Sequence, residues 1–221
     1  MTLLTKVYGI GGKKAQQLVS EGITTIEQLR QHTELLNDKQ IIGLKYFEDI
    51  EKRIPREEIE RFRDVFASVF DDVKTPGSKF DIVGSFRREA TNSGDIDIIV
   101  TNDNNEKAVF SAFFKALEAT GVVIESLTSG STKKLTIGVI PGGIPRRLDF
   151  LWAPPKEYAF AVLYFTGSKA FNVVMRQHAL SMGFSLNEHG LYKMESGTKG
   201  ALLNLEFPTE ESIFEFLGLK Y

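Results

Sequence analysis

The chain has 221 residues, with 27 Lys and Arg against 29 Asp and Glu and a formal net charge of −2. Hydrophobic residues make up 42% and charged residues 25%, which describes a globular chain of one generous domain or two to three small subdomains and excludes a disordered or collagenous one. The absence of cysteine excludes disulfides, Cys-ligated zinc, iron–sulfur clusters and a thiol nucleophile together.

Taken in order, Met1 to Lys6 lacks the charged segment and apolar run of a secretory signal. No later stretch approaches the ~20 consecutive apolar residues of a membrane span. The first fifty residues predict short helices joined by tight turns. Lys13 to Glu21 follows Gly-Ile-Gly-Gly and ends at Gly22, placed as a C′ residue. Thr25 to Gln31 follows Thr24 as N-cap, with Glu27 in the first turn. Asn37 or Asp38 caps a third helix running through Ile41, Leu44 and Phe47. Ile54-Pro55-Arg56-Glu57-Glu58 predicts a helix start with Pro at the first helical position. Ile59, Phe62, Val65, Phe66, Val69, Phe70 and Val73 keep a helical period until Thr75-Pro76-Gly77-Ser78 breaks it.

The period then changes. Phe80, Ile82 and Val83 predict a strand ending at Gly84. Asp95 to Val100 alternates and then turns wholly apolar, a strand with one functional end. Val109 to Leu117 returns to helical spacing. Leu135 to Ile140 and Arg147 to Trp152 predict two more strands joined by the turn Pro141 to Pro145. From Tyr158 a helix runs to about Met182. Short extended pieces follow at Phe184 to Leu186, Gly190 to Met194 and Leu202 to Phe207, then a last helix from Glu210 to Leu217 capped by Thr209. The middle of the chain is thus a sheet covered by at least two helices, an α+β arrangement.

The chemistry concentrates in Gly84-Ser85-Phe86-Arg87-Arg88 and Gly94-Asp95-Ile96-Asp97. Residues i and i+2 of a strand share a face ~7 Å apart. Asp95 and Asp97 therefore present two carboxylates side by side, which repel by roughly 3 kcal/mol at ~5 Å and an effective dielectric of ~20. A divalent cation between them would relieve that repulsion. Asp149 lies in another strand. If the two strands are neighbours, three carboxylates meet at one end of the sheet and suit two Mg2+ ions. The three histidines, His32, His178 and His189, are far apart, so carboxylates are the expected ligands. The turn at Gly84 and the Ser85 hydroxyl can cradle a phosphate, with Arg88 in reach of the same group.

Gly84-Ser85 with Asp95-x-Asp97 resembles the signature of the nucleotidyltransferase superfamily. Together with Arg146-Arg147-Leu148-Asp149 and Tyr164-Phe165-Thr166-Gly167-Ser168, it makes the chain resemble a family X DNA polymerase, the DNA polymerase beta type. The resemblance covers nearly the whole chain, including Gly9-Ile10-Gly11, Ile41 to Phe47, Arg53 to Glu58 and Ile213 to Leu219. It implies an α+β fold in three parts. Residues 1–53 would be a helical DNA-binding fingers subdomain with a helix-hairpin-helix. Residues 54–154 would be a nucleotidyltransferase palm with a mixed sheet and two helices, and 155–221 a small α/β thumb that selects the nucleotide.

The resemblance also implies roles. Asp95 and Asp97 would bind two Mg2+ ions, for which Mn2+ can substitute, and Asp149 only the catalytic one. Arg147 would lie near the primer terminus. Arg53, Ser85, Arg88 and the backbone at Gly94 would hold the triphosphate of a dNTP. Tyr164 and Phe165 would line the sugar pocket, with Gly167 and Lys169 beside the nucleotide. Asn172 would reach the minor-groove edge of the incoming base, and Arg176 the template. Val7 to Ala15 superficially fits a dinucleotide glycine fingerprint, but no strand precedes it. As a hairpin, its glycines Gly9 and Gly11 with Lys13 and Lys14 would meet DNA phosphates. The carbonyls of Thr5, Val7 and Ile10 would hold Na+ or K+. Lys6, Lys133, Lys134 and Arg146 are further candidate contacts to primer-template or gapped DNA.

Three features bear on the chain's place within the family. Most relatives carry an N-terminal lyase domain before the hairpin, so lyase activity is expected to be absent here. Template-independent members have a longer loop where this chain has Pro141 to Pro145, and Gly-Trp where it has Tyr164-Phe165; both features favour templated synthesis. Lys169 points the other way, toward template-independent members. The expectation is a monomeric, intracellular, template-directed gap-filling polymerase, nuclear if the source is eukaryotic. The alternatives are a terminal transferase and a non-catalytic DNA-binding module.

Overall fold

Capping side chains set two of the N-terminal helices in the computed structural model, which describes residues 3–128 and 130–221. Met1 and Thr2, part of the stretch read for a signal, lie outside the described residues. A 3-10 turn at Leu3–Lys6 leads into α1 (Gly12–Ser20), α2 (Ile26–Arg30), α3 (Asp38–Lys45) and α4 (Phe47–Ile50). Thr25, one residue later than expected, caps α2: its hydroxyl accepts from the Gln28 N–H while the Gln28 side chain accepts from Thr25. Asn37 and Gln40 make the same reciprocal box on α3. The single helix expected through Phe47 breaks at Tyr46, where ψ turns to 14°. Leu4, Val7, Leu18, Ile26, Leu29 and Leu44 give this part its own core.

Two short strands, β1 (Ile54–Pro55) and, after α5 (Arg56–Asp71), β2 (Ser78–Ile82) and α6 (Gly84–Arg87), β3 (Asn92–Ser93), pair to bring the start of α5 next to the glycine-serine turn. Pro55 is the N-cap rather than the first helical residue. Its ψ of 148° keeps it in β1, where a missing N–H costs nothing at a strand end. The chain continues through β4 (Ile96–Asn102), α7 (Ala108–Ala119), β5 (Val123–Ser126), β6 (Lys133–Gly138) and β7 (Arg146–Trp152). The sheet order is β2-β4-β7-β6-β5, with β4 and β7 parallel and the other pairs antiparallel. Edge strand β5 was not expected; four residues are too few to display an alternation.

Period-two geometry explains the layers. Ile96, Ile98 and Val100 of β4 and Leu148, Phe150 and Trp152 of β7 face α5 and α7. There Phe66, Phe70, Phe113, Phe114 and Phe150 meet edge-on with ring centres 5.0–6.1 Å apart. Ile99 and Leu151 face the other way, onto Ala161 and Val162 of α8 (Tyr158–Thr166). Burial on both faces is why β4 reads as continuously apolar.

Arg146, expected among the DNA-facing cations, is 5% exposed and belongs to the α5 face. Its Nε and Nη2 donate to Glu58 at 2.8 and 2.6 Å, and its Nη1 donates to the carbonyl of Lys52 at 3.1 Å. A buried guanidinium must satisfy its donors inside the protein, and these are the acceptors that α5 and its entry turn offer.

The helix expected from Tyr158 to Met182 is two helices, α8 and α9 (Lys169–Ser181), interrupted where Gly167 takes φ +65°. The Gly167–Ser168 peptide is cis, and the Ser168 hydroxyl accepts from Phe171 to cap α9. A three-stranded antiparallel sheet follows, with β8 (Phe184–Asn187), β9 (Gly190–Glu195) and β10 (Thr198–Leu202), and then α10 (Glu210–Phe216), capped by Thr209. The last strand meets the expected Leu202–Phe207 only at Leu202; the rest of that segment instead feeds Phe207 into the local core. Arg87 of α6 forks onto Glu210 of α10 at 2.9 and 2.6 Å, tying the glycine-serine segment to the C-terminal helix.

Candidate active site

The alternation that buries Ile98 and Phe150 on one face turns Asp97 and Asp149 to the other. The parallel register then makes Asp97 and Asp149 direct partners on β4 and β7. Asp95 stands just before β4. Gly84 closes the site from the next loop: a Cβ there would lie 2.8 Å from Asp97 Oδ2, and φ is +65°. Both conditions favour glycine.

Burial raises the affinity of Asp97 and Asp149 for protons. Burial pushes Asp97 up to about 7, helped by the charges of Asp95 and Asp149. Burial also raises Asp149, against the pull of Arg147 and with a push from Asp95. Arg147 bridges the outer pair, its Nη2 3.4 Å from Asp95 Oδ2 and 3.1 Å from Asp149 Oδ2. Burial works against its charge, but Asp149 and Asp95 prevail and raise its pKa. Asp149 Oδ1 is buried with no hydrogen-bond partner among the described residues. Among the described residues, no three His, Asp or Glu side chains converge on one point as they stand. Yet an orphaned carboxylate oxygen beside two more carboxylates is the hard-oxygen donor set of a divalent cation, so the residues fit the expected ions.

The residues expected around the triphosphate flank this centre. Ser85 donates to Ser93 Oγ at 2.7 Å. Arg53 donates to the side chain and carbonyl of Asn92, at 2.7 and 3.1 Å, and a Cβ on Gly94 would stand 3.1 Å from its Nη1. Arg88 donates to the Thr166 carbonyl at 2.5 Å and lies against Gly167. Gly84 therefore opens a four-residue helix rather than a bare turn.

At the end of α8, the Tyr164 and Phe165 rings meet edge-on at 4.9 Å. The Asn172 amide donates to the Tyr164 carbonyl at 2.8 Å. Arg176 lies over the Tyr164 ring at 4.8 Å and 3.6 Å from Glu188. Lys169 is exposed on the first turn of α9.

On the hairpin, Gly9 has φ +86° and Gly11 is the N-cap of α1, with Lys13 exposed and Lys14 half-buried in its first turn. The Gln40 amide donates to the Gly9 carbonyl at 2.9 Å, and the Val7 carbonyl accepts from Ile10 at 3.0 Å. An open cavity of about 470 Å3 is lined by residues 5–11, Ile50, Glu51 and Arg147, so it runs from the hairpin to the arginine that pairs with the carboxylates. Sequence reasoning gave no role to Tyr8, whose ring lies 5.2 Å from the Arg147 guanidinium. It also missed Asn92 and Ser93, which hold Arg53 and Ser85. An aromatic inside a glycine hairpin was the one available signal.

Three family profiles match the chain: "Fingers domain of DNA polymerase lambda" over residues 2–51, "DNA polymerase beta palm" over 53–155 and "DNA polymerase beta thumb" over 161–221. A DNA polymerase lambda of Rattus norvegicus is 36% identical over 238 aligned positions, covering 100% of this chain and 41% of that protein. A DNA polymerase lambda of Arabidopsis thaliana is 31% identical over 239, covering 100% and 45%. The chain thus spans less than half the length of these curated relatives.

Proposed function

The chain belongs to the family X DNA polymerases, and we propose that it adds dNMP from dNTP to a primer 3′-hydroxyl under template direction, filling short gaps in DNA repair. The observation that carries this reading is the Asp97–Asp149 pairing across β4 and β7, with Asp95 beside it and Gly84 pressed against it.

Asp95 and Asp97 would hold two Mg2+ or Mn2+ ions, and Asp149 one of them. When bound, such ions supply Lewis-acid neutralisation of phosphate oxygens and ease loss of the hydroxyl proton. The protein's share is placement. Asp149 would stand at the primer 3′-hydroxyl, with Arg147 at the same terminus. Ser85, Arg53, Arg88 and the Gly94 backbone would grip the triphosphate. Tyr164 and Phe165 would wall the sugar, with Gly167 at their turn. Asn172 uses one N–H on the Tyr164 carbonyl, which leaves its other N–H for the minor-groove acceptors common to all base pairs. Such a contact checks pair geometry, not sequence. Arg176 would meet the template, and Gly9, Gly11, Lys13 and Lys14 the DNA backbone. The carbonyls of Thr5, Val7 and Ile10 would share a monovalent cation with it. No helix of the described residues is long and apolar enough to cross a membrane; we place the protein inside the cell as a monomer, and in the nucleus if its source is eukaryotic.

Lys169 favours a second reading, a weakly templated transferase, because a cation on the first turn of α9 can attract a nucleotide before DNA arrives. Single-nucleotide incorporation on a one-nucleotide gap with Mg2+, each dNTP offered alone, separates the two. Insertion of the complementary nucleotide only is the expected result, and similar rates for all four would replace the main reading with the second. Incorporation surviving Asp149→Ala would refute both.

A further inference from the structure

We propose that Tyr8 is a positioning residue that holds the Arg147 guanidinium on Asp95 and Asp149, so that the hairpin sets how readily the site accepts its divalent cations. The inference rests on the reading of these carboxylates as the metal site.

Arg147 is held in an unusual way. One nitrogen, Nη2, serves both Asp95 and Asp149, while among the described residues its buried Nε has no hydrogen-bond partner. The guanidinium is therefore not secured along its edge. Its remaining support is a ring: Tyr8 lies 5.2 Å from Cζ, within the range in which an aromatic face attracts a cation. The backbone that carries the ring is firmly placed. A Cβ on Gly43 would stand 2.4 Å from the Tyr8 carbonyl, so α3 presses directly on that backbone, and Gln40 fixes the next carbonyl.

Arg147 thus supplies one positive charge to a cluster of three carboxylates. A divalent cation drawing on Asp95 and Asp149 must compete for the oxygens that Arg147 now engages. The same arginine borders the open cavity on the hairpin side, which gives its head somewhere to go. Tyr8 favours the state in which Arg147 stays on the acids. Removing the aromatic face should tilt the competition toward the metal, and keeping the face without the hydroxyl should not.

The test is a titration of metal-free, DNA-free protein with Mn2+, following the free-ion signal by electron paramagnetic resonance. An exposed to partly desolvated cation–π contact corresponds to roughly a two- to fivefold change in equilibrium. Tyr8→Leu should bind Mn2+ about two- to fivefold more tightly than wild type, and Tyr8→Phe should match wild type. Arg147→Met should bind more tightly still, and adding Tyr8→Leu to Arg147→Met should change nothing further. Wild-type affinity in Tyr8→Leu, or the same gain with Arg147 already removed, would overturn the proposal. Asp97→Asn serves as the separate control. If it leaves Mn2+ binding intact, the metal-site reading falls and this inference with it. If it weakens binding while Tyr8→Leu has no effect, only the inference falls. Circular dichroism of each variant confirms that it folds.

Discussion

Replacing Asp97 with asparagine should stabilise the metal-free protein while destroying its chemistry. Burial, Asp95 and Asp149 raise the Asp97 carboxyl to about 7 in the folded chain, against ~3.9 when unfolded. The folded state therefore binds this proton more tightly than the unfolded state does. Stability is fully present below pH ~4 and is lost progressively as pH rises toward 7. About three pH units at ~1.4 kcal/mol each set an upper limit near 4 kcal/mol at pH 8. Relaxation of the neighbouring acids reduces this to roughly 2–4 kcal/mol. Asparagine has the same shape and no charge to desolvate. For a chain of this size, about 2–4 °C accompanies each kcal/mol. With EDTA at pH 8, Asp97→Asn should thus melt roughly 4–16 °C above wild type. At pH 4.5 the two-pKa curve leaves only about 1 kcal/mol, and the gap should nearly close. Mg2+ at a hundred times its dissociation constant would add about 2.7 kcal/mol to wild type and little to the variant. Scanning fluorimetry at two pH values, with and without Mg2+, reads all of this. An Asp97→Asn variant that melts at or below wild type in EDTA at pH 8 would show that the carboxylates are not in conflict, and the argument for a cation between them would fail.

Three further outcomes follow from the same geometry. Glu58→Gln leaves the Arg146 charge buried and unanswered, so urea unfolding should report a loss of about 3–5 kcal/mol, most of it recovered in the double variant Glu58→Leu, Arg146→Met; a loss under 1 kcal/mol would contradict the burial. Gly84→Ala forces a Cβ against Asp97 and an L-residue into left-handed backbone, an intrinsic cost of about 1–2 kcal/mol. Incorporation should fall at least tenfold while DNA affinity stays unchanged, and an unchanged rate would mean that Asp97 is not where the chemistry occurs. Lys169→Ala should weaken dNTP binding to the DNA-free enzyme, measured by fluorescence titration, and equal affinity would remove Lys169 from the nucleotide site.

The sequence displays the periodic parts of this molecule well and the breaks poorly. The stripe from Ile59 to Phe70 is long enough to define α5, and the Asp95-x-Asp97 alternation defines the entry to β4. Tyr46 and Gly167 interrupt helices within continuous helical patterns, because local dihedrals at one residue outweigh propensity there. Strand β5 is too short to announce itself. The caps of α2 and α3 depend on which of two adjacent polar residues takes extended backbone, and that is settled by which one lets its partner three residues on complete the box.

The adjacent pair Arg146 and Arg147 marks the boundary of what a sequence can say about the site. Strand geometry alone dictates that they face opposite sides of the sheet. It does not dictate which side carries a partner, since Glu58 is 88 residues away and Asp95 is 52 away. The answer comes from the sheet as a whole. The face that carries Leu148 and Phe150 packs on α5, so its arginine finds Glu58 and becomes structural. The face that carries Asp149 is left open beyond α8, so its arginine finds the carboxylates and becomes part of the site. The parallel junction of β4 and β7 is what brings Asp97 level with Asp149, and it is a non-local contact that no window of sequence contains. Chemistry here is therefore legible as a set of residue types, and becomes a site only when that one strand pairing fixes which of them share a face.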